Sequence, residues 1–159
     1  IRDMDVKQKF IADASIDFDY DSLTEEFYIY HSIFTKSAWE RGLISDDFSE
    51  YAYNSGSVTA VSLQLAMYEG FDEIYLLGCD CSYAKTGFRH FNEPKEEEAN
   101  VYGTTFDLTR YVTASEAVVN SYQKIKEYAE QKGIKIYNAT RGGYLEVFER
   151  VNLDDLLQD

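Results

Sequence analysis

The sequence predicts an α/β domain built on an open, mostly parallel sheet with helices on both faces. Three observations point there. Val58 to Glu69 is a helix-forming stretch, apolar nearly all round, that stops at Gly70 and leads straight into the apolar run Glu73–Gly78. Val118, Tyr122, Ile125 and Ala129 form a second helical stripe, which stops at Gly133 and leads into Ile134–Asn138. A buried helix followed by a strand that does not alternate fits a parallel crossover, and two in succession fit a layered α/β sheet. The chain has 159 residues, one proline and no low-complexity stretch, so residues 1–159 read as a single domain with no linker.

The elements follow in order. Phe27, Tyr28, Ile29 and Tyr30 have strand composition. A short helix is expected around Lys36–Arg41, ending at Gly42. Tyr51–Tyr53 is a short strand, and Asn54-Ser55-Gly56-Ser57 is a turn that supplies N-cap residues to the Val58–Glu69 helix. Glu73–Gly78 is the next strand. Residues 79–112 are polar and rich in Gly, Tyr and acidic side chains, which suggests a functional loop. Ser115–Lys132 is a helix, Ile134–Asn138 a strand, and Ala139–Gly143 a turn. Tyr144–Phe148 is short and apolar, and Asn152 caps a last helix, Leu153–Leu157.

Composition narrows the function. Apolar residues make up 45% and aromatics 16%, which is the profile of a chain with a packed core. The net charge of −14 repels nucleic acid. No apolar run approaches the roughly 20 residues that cross a bilayer. Cys79 and Cys81, the only cysteines, are too close in sequence to frame a disulfide-built domain, and a reducing, cytoplasmic setting is expected. The chain begins at Ile1 rather than Met, so a piece of a longer protein, lacking an N-terminal βα unit, is expected.

In open α/β sheets, ligands bind beyond the carboxyl ends of the strands. Asn54–Ser57, Gly78–Tyr83 and Asn138–Gly143 lie there. The turn Asn54, Ser55, Gly56, Ser57 opens a helix whose first N–H groups carry partial positive charge, and Gly56 lets a ligand come close to the backbone, which suits a phosphate or carboxylate. Ordinary capping by Ser55 or Ser57 is the alternative. Asp80, just past a strand, suits a ribose hydroxyl, a metal ion or a proton. Cys79 and Cys81 lack the partners of a zinc site, so no metal site is expected and both thiols read as packing. Tyr83 and Tyr102 carry hydroxyls that can donate to a leaving phosphate. His90 is a candidate general base, with His31 a weaker one. Arg141, and less favourably Arg150, can pair with an anion.

The segments SGSVTAVSLQLAMYEGFDEIYLLGCDCSY, FRHF and IKIYNATRGGYLEVFERV resemble the MptE-like family, named for an archaeal 6-hydroxymethylpterin pyrophosphokinase. The same core is similar to the family 42 bacterial sialyltransferases. The resemblance covers residues 51–151 and reaches residues 1–50 loosely. It implies a Rossmann-like fold. It also implies transfer of a sugar from a CMP- or UDP-linked donor to a glycan or protein acceptor, on the cytoplasmic side or at the inner membrane surface. No tightly bound cofactor is implied, and an oligomer is compatible with it. The alternative is ATP-dependent diphosphate transfer to a pterin, which needs Mg2+, or a non-catalytic nucleotide-binding domain. Asn54, Ser55 and Gly56 then lie against the donor nucleotide, Ser82 or Tyr83 matches a tyrosine that steadies the leaving phosphate, and Asp3 loosely matches an asparagine that touches the nucleotide. Two features depart from these families. Their opening GNGPS-like turn is absent, and Tyr111–Ala114 holds no histidine where the sialyltransferase base stands.

Overall fold

A computed structural model describes residues 7–13, 27–81 and 108–158, with residues 108–115 given by main chain only. The described strands all pair in parallel, but in three short sheets rather than one. Strand β1 (Phe10–Ala12) pairs with β2 (Tyr28–Tyr30), and β3 (Ser32–Ile33) pairs with β4 (Ala52–Tyr53). Strand β5 (Glu73–Leu76) pairs with β6 (Lys135–Asn138), and β6 with β7 (Glu149–Arg150). One break has a visible cause. Asp13 follows β1 and accepts the Ser32 main-chain N–H on Oδ1 at 2.8 Å. A carboxylate thus takes the place of the next ladder bond, and β1 ends.

The helices are α1 (Lys36–Arg41), α2 (Val58–Tyr68), α3 (Leu108–Lys132) and α4 (Leu153–Leu156). Several local signals act at the helix ends. Thr35 caps α1 through a 3.0 Å bond to the Ala38 N–H, and Asn152 caps α4 through Asp154 N–H at 3.1 Å. Both α2 and α3 close with paired bonds of one type: Phe71 N–H to Ala66 and Gly70 N–H to Met67, then Ile134 N–H to Ala129 and Gly133 N–H to Glu130. Helix α3 starts at Leu108, so the last residues of the expected loop 79–112 are helical. Their β-branched, aromatic sequence, LTRYVT, hides the start.

Among the described residues, the helices that pack on β5 and β6 lie on one face. Helices α1 and α2 both pack on α3, which packs on β6. Their shared core is Ala60, Leu63, Met67, Leu76, Tyr122, Ile125, Ala129, Ile136, Leu145 and Phe148. The other face of β5 and β6 carries Glu73, Tyr75, Leu77 and Lys135, all exposed. There Tyr75 stacks on Tyr137 at 5.2 Å and Lys135 reaches Glu73 at 3.2 Å. The run Glu73–Gly78 therefore does alternate. Tyrosine reads as apolar in the sequence, but Tyr75 lies on the open side while Ile74 and Leu76 turn inward. Helix α2 is likewise less buried than its composition suggests, since Val58 and Tyr68 are exposed.

Candidate functional site

Three strand-end segments meet at one rim. The first is the turn 54–57 after β4. Asn54 Oδ1 accepts the Gly56 N–H at 3.0 Å, which folds the turn on itself. Ser55 is buried. Gly56 has φ +79°, and a β-carbon there would lie 2.7 Å from Trp39 Nε1. The close approach at Gly56 is therefore made by Trp39 of α1, not left to a ligand. The Trp39 indole N–H is buried and has no hydrogen-bond partner among the described residues. Ser57 holds the N-cap position in an extended conformation but makes no side-chain cap bond. Its hydroxyl instead lies 2.9 Å from the Tyr122 hydroxyl of α3. So the capping expected of Ser55 or Ser57 is not made by either side chain. The Gly56 N–H is committed to Asn54. The helix's own donors lie one step further on, at Val58 and Thr59, where the first N–H groups of a helix have no partner within it. Val58 beside them is 84% exposed.

The second segment is the end of β5. Thr59 Oγ1 of α2 lies 3.9 Å from Cys79 Sγ, which joins the helix tip to this strand end. The Cys79 N–H donates to Thr140 Oγ1 at 3.0 Å, which joins it to the third segment, after β6. Asp80 is half-buried, and its carbonyl accepts the Tyr144 N–H at 2.6 Å. Gly143, at φ +82°, packs so tightly that a β-carbon would lie 2.6–2.7 Å from Asp80. The turn after β4, the end of β5 and the loop after β6 are thus linked through Thr59, Cys79, Thr140, Asp80 and Gly143.

The polar groups beneath this rim stay neutral. Burial pushes the Tyr122 phenol up to about 12, against the opposing pull of its bonds to Ser57 and Thr59. Burial likewise raises Cys79, and pushes Cys81 to about 11 with help from neighbouring Cys79 and Asp80. At neutral pH Tyr122 is a hydroxyl and both cysteines are thiols, in line with a packing role. They add hydrogen-bond capacity without adding negative charge near the helix tip.

The two arginines differ from the order expected. Arg141 is exposed and pairs with Asp154 of α4. Arg150 is the clamp of the third segment: it donates to the carbonyls of Thr140, Gly142 and Gly143 at 3.2, 2.8 and 3.2 Å, while Nε and Nη2 also donate to Glu146. Its role is to shape the loop that presses on Asp80. Sequence reading also missed Trp39 and Tyr122. Trp39 is the chain's single tryptophan, and Tyr122 was visible only as one member of an apolar stripe.

His31 stands between β2 and β3. Its Nδ1 contacts Oδ2 of Asp13. Asp3, Ser82, Tyr83, His90 and Tyr102 lie outside the described residues. Among the described residues, no group of three His, Cys, Asp or Glu side chains could hold a metal ion, and no helix is long and apolar enough to cross a membrane. No known protein family, curated protein or solved structure matches the chain.

Proposed function

We propose that this chain is a nucleotide-sugar-dependent glycosyltransferase domain that binds its donor at the rim formed by α2, the end of β5 and the loop after β6. The observation that carries the reading is the link from Thr59 to Cys79, which joins an electropositive helix tip to the strand end bearing Asp80. The donor's phosphate sits at the N–H groups of Val58 and Thr59. The hydroxyls of Ser57, Thr59 and Tyr122 add neutral donors there. This is one turn position beyond the site expected at Ser55 and Gly56, because Asn54 and Trp39 already occupy Gly56. Asp80 accepts from a ribose or sugar hydroxyl. Ser82 and Tyr83, which follow it after Cys81 in the chain, are in sequence reach of the leaving phosphate. The donor is CMP- or UDP-linked and the acceptor is a glycan or a protein, as the sequence resemblance implies.

Thermal unfolding with CMP, UDP, GDP and ATP, each with and without magnesium, tests this. A ligand that binds only the folded state stabilises it by about 2.7 kcal/mol at a hundred times its Kd. CMP or UDP should raise the melting temperature with magnesium chelated. A response to ATP alone, and only with magnesium, favours diphosphate transfer to a pterin. No response to any nucleotide ends the donor-site reading.

A further inference from the structure

We infer that the cavity between the C-terminal ends of α2 and α3 is a binding site for a free α-amino acid with an apolar side chain. The cavity has a volume of about 230 Å³. Ile134 on its wall precedes β6, whereas Thr140 of the rim follows β6, so the cavity lies at the other end of that strand. A ligand here is separate from the donor.

The wall carries one charge of each sign, Asp46 and Lys132. Tyr128 meets both. The Lys132 ammonium is 5.4 Å from the centre of its ring, and burial, then the nearby Asp46 carboxylate, raise its phenol. Neither charge makes an ion pair among the described residues. The buried polar groups of the wall are already committed. Gln64 uses its whole amide on main-chain groups, and the Ser45 hydroxyl bonds both main-chain groups of Asp47. Met67 and Ile134 supply apolar surface, and Tyr68 an exposed ring.

Size and charge select the ligand. An apolar cavity of roughly 150 Å³ takes benzene, and drug-sized molecules need about 300 Å³ or more. A molecule of amino-acid size fits between those limits. A lone anion is repelled by the chain's excess of 14 negative charges, and a lone amine meets Lys132. A zwitterion avoids both penalties. Its ammonium faces Asp46, its carboxylate faces Lys132, and its side chain lies on Met67 and Ile134.

Calorimetry of the whole chain with L-leucine, leucinamide and isocaproate tests this. Leucine should bind saturably. Leucinamide lacks the carboxylate and isocaproate lacks the ammonium, and each should bind roughly two- to fivefold more weakly, the range that exposed ion pairs give. Lys132→Met should weaken leucine by that factor and leave leucinamide unchanged. Asp46→Asn should weaken leucine likewise and leave isocaproate unchanged. Both side chains are exposed, so both variants should melt at the native temperature. Leucinamide or isocaproate binding as tightly as leucine overturns the assignment. So does leucine bound equally by the native chain and both variants, or no saturable leucine binding at all. None of these outcomes changes the nucleotide response expected at the rim.

Discussion

Gly142 and Gly143 are adjacent, both left-handed at φ +76° and +82°, and differ in surroundings. A β-carbon on Gly142 meets nothing within 4 Å, while one on Gly143 meets the Asp80 main chain at 2.6–2.7 Å. Gly142→Ala should therefore cost only the conformational term, about 1–2 kcal/mol. Gly143→Ala carries the same term plus a clash with backbone that cannot swing aside, so it should destabilise clearly more in urea unfolding. It should also weaken donor binding, since Asp80 must move. Equal unfolding costs for the two variants would show that the loop yields. A second residue-scale effect is set by pH. The Tyr122 phenol sits near 12 in the folded chain against an ordinary 10.0. From about pH 10 to 12 the unfolded chain has given up this proton and the folded chain has not, so stability falls as pH rises through that window. Other buried or paired phenols and the Cys81 thiol act in the same direction, so the comparison is with Tyr122→Phe. That variant should lose about 1 kcal/mol at pH 7 with its bond to Ser57. Its deficit should then shrink or reverse by pH 11, read from urea midpoints.

Among the elements, α2 reaches the sheet through one polar side chain. Gln64 is buried mid-helix and uses its whole amide: Oε1 accepts from Ser45 N–H at 3.0 Å and Tyr53 N–H at 3.3 Å, and Nε2 donates to the Tyr53 carbonyl at 2.9 Å and to Ala60 at 3.2 Å. It occupies the edge of β4 as a strand would, which accounts for the missing ladder between β4 and β5 among the described residues. Gln64→Leu should leave three main-chain groups without partners at about 1–3 kcal/mol each. Partial relaxation makes about 3 kcal/mol the expected total, with hydrogen exchange at Tyr53 accelerated. A loss under 1 kcal/mol would mean water replaces the amide. The same bond marks the limit of what the sequence reveals. Helix ends at Gly42, Gly70 and Gly133 were legible because they depend on neighbours in the chain. The parallel strands were legible from the crossover pattern. The division into three sheets was not, because it rests on Asp13 reaching Ser32 and Gln64 reaching Tyr53, contacts that leave no period in the sequence. At the rim the turn and the strand end were readable, whereas Trp39 over Gly56 and Tyr122 under Ser57 come from other helices.

For the molecule as a whole, charge decides how the proposed site can work. The chain has 15 basic and 29 acidic residues, an excess of 14 negative charges. The ion pairs Lys36–Glu40, Lys124–Glu127 and Lys135–Glu73 are on the surface, and such pairs contribute roughly 0–1 kcal/mol each. Salt weakens them slightly, but it also screens the repulsion among the unbalanced carboxylates, and that repulsion involves many more charges. Raising the salt should thus raise the melting temperature. Donor binding follows the same logic. A phosphate site built on lysines and arginines loses affinity as salt screens the attraction. Here Arg141 is paired with Asp154 and Arg150 with Glu146, so the tip of α2 supplies the attraction through main-chain dipoles at short range. The surrounding acidic field repels the anionic donor over longer range, and only the long-range part is strongly screened. Nucleotide affinity should hold or improve between 20 and 300 mM potassium chloride, measured by calorimetry. A tenfold loss over that range would mean that basic side chains carry the phosphate, and would reject the helix tip as its seat.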